Sequence, residues 1–261
     1  METIDISLTN LTLLYAILAL PLWLIYRYSR GLIREALVSI LRMTAQLLLL
    51  GVYLKYIFEW NTLWINALWI LVMLVVANVT TLKNAGLKKR YFFWPTQLAL
   101  TISILAIMAF LLAVVVRPEP VYDARYLIPL TGMILGNSLR GNVQALERFY
   151  SEIRKNETEF MTYLMMGATL QEAVRPYARD AVASAISPII ATMATVGLVS
   201  LPGMMTGQIL GGSFPLIAIK YQIAIMISIF FSMTVTAVLN ILFSLRVAFN
   251  DYQVLREEVF N

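Results

Sequence analysis

The sequence predicts an all-α, polytopic transmembrane helical bundle. Three observations carry that reading. The 261 residues are 60% hydrophobic and only 13% charged, against about 25% charged in a soluble domain. Mean hydropathy is +0.76. The apolar residues gather in stretches long enough for helices to cross a bilayer, which takes about 20 residues each. Backbone groups in lipid must satisfy one another, so helices are the available solution.

Seven stretches are expected to cross: Leu8–Tyr26, Ala36–Phe58, Leu63–Leu82, Tyr91–Val116, Tyr126–Leu139, Ala181–Leu210 and Ile219–Leu245. The N-terminus, Met1–Asp5, is acidic and lacks the basic start of a secretory signal, so the first stretch is read as a retained crossing. The fifth is short, with helical character expected to continue past Arg140. The sixth contains Pro202-Gly203 and is expected to kink or break there. Residues 1–261 are read as a single transmembrane domain, with a cytoplasmic amphipathic segment at 140–180.

Orientation is set by the basic residues. The turns at Arg27–Arg34, Lys83–Arg90 and Arg140–Arg179, with the tail from Arg246, hold 15 of the 20 Lys and Arg. Positive residues stay on the cytoplasmic side, so the expected N-terminus is outside and the C-terminus inside. The same distribution explains the net charge of +5 by topology and not by nucleic-acid binding.

In the cytoplasmic segment, Val143, Leu146, Tyr150, Ile153, Phe160 and Leu164 recur at three- and four-residue steps among Glu, Arg, Lys and Asn. This is an amphipathic helix continuing the fifth crossing. It either packs on the bundle or presents a face to a partner. Gly167 interrupts it, and Thr169-Leu170-Gln171-Glu172 has the form of a capping box. Arg175-Pro176 is expected to end or bend the capped helix. The expectation is a short isolated helix on the cytoplasmic face.

Small-residue spacings recur at Gly132/Gly136, Gly203/Gly207 and Gly207/Gly211. Such spacings let helix backbones approach closely. With Met133, Met204, Met205, Asn137, Pro202 and Gln208 they mark a candidate translocation pathway or helix seam in spans five and six. Arg42 and Gln46 lie one turn apart in span two; Arg42 is near enough to the cytoplasmic end to snorkel. Lys220, at the outer start of span seven, is read the same way.

Several functions are disfavoured. With 0 Cys and 0 His, thiolate chemistry and the usual zinc or copper ligand sets are missing. No Gly-rich phosphate loop ending in Gly-Lys-Ser/Thr is present, so any ATP would bind another chain. No Asp or Glu falls mid-span, where ion-coupled carriers place them. The chain is read as a non-enzyme.

The stretch Thr195–Gly207, with Ala218–Ile223, Ile128–Ile134, Gly136-Asn137, Gly51, Leu54–Phe58 and Gly167–Thr169, resembles the FetB-type ABC permease family. That family comprises bacterial iron exporters and plant permeases linked to aluminium tolerance. The resemblance implies a permease homodimer in the bacterial inner membrane, partnered by a separate ABC ATP-binding subunit that holds ATP and Mg. It implies export of iron or another metal species. Gly167, Ala168, Thr169, Leu170, Gln171 and Glu172 are similar to the coupling loop of ABC permeases, and Arg175 lies further along the same helix. Two other classes stay open: an ATP-independent carrier or channel, and a membrane adaptor recruiting a soluble protein through the Val143–Leu164 helix.

Overall fold

The computed structural model describes residues 6–260. The acidic stretch Met1–Asp5 lies outside the described residues. Ten α-helices are described: α1 (Leu8–Ala16), α2 (Ala19–Tyr28), α3 (Ile33–Trp60), α4 (Leu63–Asn84), α5 (Lys89–Phe110), α6 (Ala124–Lys155), α7 (Glu157–Met165), α8 (Leu170–Thr195), α9 (Gly203–Leu210) and α10 (Pro215–Ala248). No named strand occurs among the described residues.

Among the described residues, five helical stretches are long and apolar enough to cross a membrane: Thr9–Tyr28, Arg30–Trp60, Leu63–Asn84, Lys89–Val116 and Pro215–Ala248. They match the first four and the seventh expected crossings. The fifth lies in α6 and the main part of the sixth in α8, helices of 32 and 26 residues. Each joins an apolar half to a charged half without a break, so neither is apolar throughout.

The ends of the bundle are tied by polar contacts. At one end, the Asn66 side-chain amide donates to the Tyr122 carbonyl at 2.8 Å, and the Ala124 N–H donates to Asn61 Oδ1 at 2.9 Å. Asn61 adopts a left-handed conformation, φ 36°, to end α3, a conformation Asn tolerates well. At the other end, which we call the basic end, the Lys88 N–H donates to the Val259 carbonyl at 2.9 Å. The C-terminal strap thus lies across the α4–α5 turn, with the Arg154 guanidinium over the Phe260 ring at 5.1 Å. Exposed Trp60 and Trp64 mark the far end, and exposed Trp23 and Trp94 lie toward the basic end, as in the aromatic belts of membrane proteins.

Two large clusters form the core. One, at the basic end, gathers Leu82, Phe92, Leu146, Tyr150, Phe160, Tyr177, Leu245 and Val259. The other, through the middle, gathers Leu100, Ile104, Ile134, Ile225 and Ile229.

Several sequence expectations need correction. Pro176 does not end the capped helix; α8 passes through both Pro176 and Pro188 to Thr195. Proline deletes one ladder hydrogen bond, but Ala173, Val174, Tyr177 and Ala181 bury the surrounding face in the basic-end cluster. Packing outweighs the local preference. The amphipathic helix is not continuous, since Asn156, φ −110° ψ 36°, separates α6 from α7. Its apolar face, Leu146, Tyr150, Ile153 and Phe160, is buried within the bundle, so that face is not presented to a partner. The break expected in the sixth crossing, by contrast, is present: α8 ends at Thr195, and α9 starts after Pro202 as a separate eight-residue helix.

Candidate functional site

The capping box forms as its spacing predicts. The Thr169 N–H and hydroxyl both donate to Glu172 Oε2, at 2.8 and 2.7 Å, and the Glu172 N–H donates to Thr169 Oγ1 at 3.4 Å. Bonding to the charged form favours it, so these backbone and side-chain bonds hold the Glu172 carboxyl below its ordinary range. Gly167 has φ +90°, the left-handed region in which a side chain is strained. It turns the chain between α7 and α8.

Beside this turn, Met165 and Met166 are 77% and 80% exposed. Gln171, Glu172 and Arg175 are exposed, and Ala168 and Leu170 are half-buried. The tip is therefore an apolar knob on a stiff, capped helix start, at the basic end of the bundle.

Behind the knob the contacts are aromatic. The Phe160 ring of α7 lies 6.4 Å from Tyr177 of α8 and 5.7 Å from Phe249, just after α10. Tyr150 of α6 lies 5.3 Å from Phe92 of α5 and 4.9 Å from Phe149. The Tyr150 hydroxyl donates to Ser244 Oγ of α10 at 2.6 Å. Burial pushes that hydroxyl far above its ordinary pKa, so it stays neutral. Packed rings thus join α7 to α8 and to the residue after α10, and a second ring group joins α6 to α5.

The candidate pathway residues do not pack into one seam within the chain. Gly132 approaches Met73 of α4: an added Cβ would sit 3.3 Å from the Met73 methyl. Gly136, Gly203 and Gly207 face open space, and Gly211 meets only its own helix. Asn137 is exposed, and its amide donates to the Met133 carbonyl at 2.8 Å. Met133 and Met204 pack half-buried on the central cluster, and Met205 is buried. Pro202 caps α9. The Gln208 side-chain carbonyl is buried without a protein partner.

The chain matches, over residues 8–249, the family described as "Uncharacterised protein family (UPF0014)". The chain belongs to this family. It is 36% identical over 214 residues to a UPF0014 membrane protein of Synechocystis, covering 82% of this chain and 83% of that one. It is 35% identical over 217 residues to the Arabidopsis thaliana protein named ALUMINUM SENSITIVE 3, covering 81% and 77%. It is 28% identical over 229 residues to the Escherichia coli protein named "Probable iron export permease protein FetB", covering 86% and 85%. No solved structure matches the chain.

In this UPF0014 protein the structure adds a feature that sequence reading missed. Ser228, Ser232, Thr236, Asn240 and Ser244 recur every four residues on α10, and all are buried. Ser103 of α5 donates to the Ser232 carbonyl at 3.1 Å, and Ser138 of α6 donates to Ser232 Oγ at 2.9 Å. Asn142, Thr236 and Asn240 each keep a buried oxygen with no protein partner. The close approach here belongs to Gly141, where an added Cβ would sit 2.6 Å from the Met233 methyl and 3.5 Å from the Ala185 carbonyl. The spacing of four was available in the sequence as its signal. Gly141 pairs with no other glycine at a spacing of four, so it carried none.

Proposed function

We propose that this chain is the membrane-spanning permease subunit of an ABC transporter. It works as a homodimer in the inner membrane, N-terminus outside and C-terminus inside. A separate ATP-binding subunit binds ATP and Mg and hydrolyses the nucleotide. Export of iron or another metal species is the transport reading, supported by the name of the Escherichia coli relative.

One observation carries the assignment: the α7–α8 tip, an exposed Met165-Met166 knob beside a doubly bonded capping box. It is a rigid projection that a groove on a partner can hold. The rings of Phe160, Tyr177 and Phe249 then pass its movement to α8 and α10. In this mechanism nucleotide binding closes the two ATPase subunits and draws the two tips together. The helices α6, α8 and α10 rearrange as packed units between inward- and outward-open states. This chain supplies leverage and the path; the partner supplies the bond cleavage.

Purification of the tagged chain in mild detergent from its host tests this. An ATP-binding subunit is expected to accompany it, and to be lost when Met165, Met166 and Arg175 are replaced by Asp, Asp and Glu. Replacing Gly167 by Val is expected to leave assembly intact and uncouple hydrolysis from transport. Recovery of the chain alone, with transport by the chain alone, would favour the ATP-independent carrier.

A further inference from the structure

The sixth crossing stops inside the membrane. Ala185 of α8 meets Ala145 of α6 and Ala237 of α10 in one buried cluster. From that level α8 continues toward the far end only as far as Thr195, a rise of about 15 Å. From the same level α10 reaches back about 26 Å to Lys220, and α6 about 30 Å to Arg125. The Ser138–Ser232 bond puts Lys220 and Arg125 at one height. Exposed Trp64 shares it, because Gly132 of α6 meets Met73 of α4. Helix α8 therefore ends about 10–15 Å short of the far interface, inside a hydrocarbon core of about 30 Å. Just after the break, Met204 packs on the central cluster, so the chain between Thr195 and Gly203 is embedded at both ends.

This segment suits neither lipid nor water. Gly197, φ +87°, turns it. The carbonyls of Val196, Leu198 and Val199 and the Leu201 N–H have no hydrogen-bond partner among the described residues. At membrane depth such backbone is tolerated only where protein buries it or water fills a cavity. The side chains argue against the water. Leu198, Val199 and Leu201 are 90%, 82% and 61% exposed, and leaving such groups in water forgoes about 1.5–3 kcal/mol apiece. A protein surface satisfies both the backbone and the side chains.

The uncovered surface runs on along α8. Of the fourteen residues Ser187–Ser200, twelve are exposed. The Ser187 and Thr195 hydroxyls donate to the carbonyls of Ala183 and Ala191 on their own helix, which leaves a low surface with its polar groups satisfied. Exposed positions of α10 nearby are bulky instead: Ile219, Ile223 and Ile227. Small residues allow close helix approach in lipid. The Gln144–Ser184 bond carries the face onto α6, where exposed Arg140 and Glu147 have opposite signs, so a second copy can pair with it. With Leu201, Gly203 and Gly207, also exposed, the face comes close to the roughly 20 residues a side of a standard interface.

We propose that a second copy of this chain covers the break. The homodimer interface is the far-end half of α8, the Val196–Leu201 segment and the start of α9, continued by the adjoining face of α6. This rests on the homodimer reading above and gives it a surface. The exposed face of α3, with bulky Leu41, Leu48 and Val52, is left to lipid.

The chain contains 0 Cys, so a single introduced thiol is a unique reporter. Ala191→Cys, Leu198→Cys and Ser200→Cys are each to be oxidised in the intact membrane with copper phenanthroline, and separately labelled with a cationic methanethiosulfonate. A disulfide-linked dimer is expected from at least one of the three, with labelling far slower than that of a free thiol. Ile227→Cys, on α10 level with Thr195 and 56% exposed, is expected to give no dimer. Rapid labelling without a dimer would assign the segment to a water-filled path, and inertness to both reagents at all three positions would assign it to lipid; either overturns the interface. A dimer through Ile227→Cys or Leu48→Cys, and none through the break, would keep the homodimer and overturn this surface. Failure to recover an ATPase, with the break still forming dimers, would sink the ABC assignment alone, so the two failures are separable.

Discussion

Helices α3 and α10 are both long and apolar enough to cross a membrane, yet they sit in the molecule in opposite ways. Of its 28 residues α3 buries only Ile57. Of its 34 residues α10 buries fifteen, among them Gln222, Ser228, Ser232, Thr236, Asn240 and Ser244. In water, apolarity separates inside from outside. In lipid it does not, because the hydrocarbon is as apolar as leucine and helices associate by close packing and hydrogen bonds. Small polar residues at four-residue spacing mark the central helix, and apolar bulk marks the peripheral one.

That contrast can be broken most sharply at its centre. Tyr150→Ala removes a fully buried ring that touches Phe92, Phe149 and Phe260, and is expected to cost about 3–5 kcal/mol. Thermal inactivation in detergent should show a large fall in midpoint. Tyr150→Phe keeps the ring but loses the bond to Ser244, and is expected to cost about 1 kcal/mol. Equal effects of the two would mean that the ring packing contributes nothing.

A smaller effect tests the polar stripe. Ser232 receives hydrogen bonds from both Ser103 and Ser138. Ser232→Ala leaves the Ser232 carbonyl bond in place and removes the Ser138 partner, so about 0.6 kcal/mol is expected. Leu48→Ala on α3, at a site 60% exposed, should stay within about 0.5 kcal/mol. If Leu48→Ala were the more damaging of the two, α3 would have to be buried against another chain in the membrane.

The most local effect concerns the tip. The Glu172 carboxyl is held below its ordinary value by Thr169. A depressed acid contributes stability above its unfolded value, near the free-peptide figure of about 4.3, and loses it as pH falls through the lower folded value. Cleavage by an acid-active protease around Met165–Gly167 should therefore accelerate as pH drops below that figure. Glu172→Gln should remove the pH step, and a step that persists in Glu172→Gln would assign it to another group.

The capping box was legible because it is local: Thr169 and Glu172 are three residues apart and need only a helix to meet. Most apolar spans were legible for the same reason, since each satisfies its own backbone. The course of α8 through Pro176 was not, because a local preference against continuing the helix is overridden by Ala173, Val174 and Tyr177 packing on α6 and α7. The glycine spacings and the tightest contact fall at different places. Gly136, Gly203 and Gly207 face open space, while the tightest contact is at Gly141, where the partner is the flexible end of Met233.

By itself the sequence determined membrane residence, helical class, the capped tip and the want of any thiol or imidazole. These rest on composition and on interactions within a few residues. Only the tertiary structure decided two placements, α10 at the centre and α3 at the periphery. Those depend on the register between helices, which contacts such as Ser138 with Ser232 and Tyr150 with Ser244 set over a separation of 94 residues. Hydropathy sums along one helix carry no term for such contacts, so they could place each span in the membrane but not each span against its neighbour.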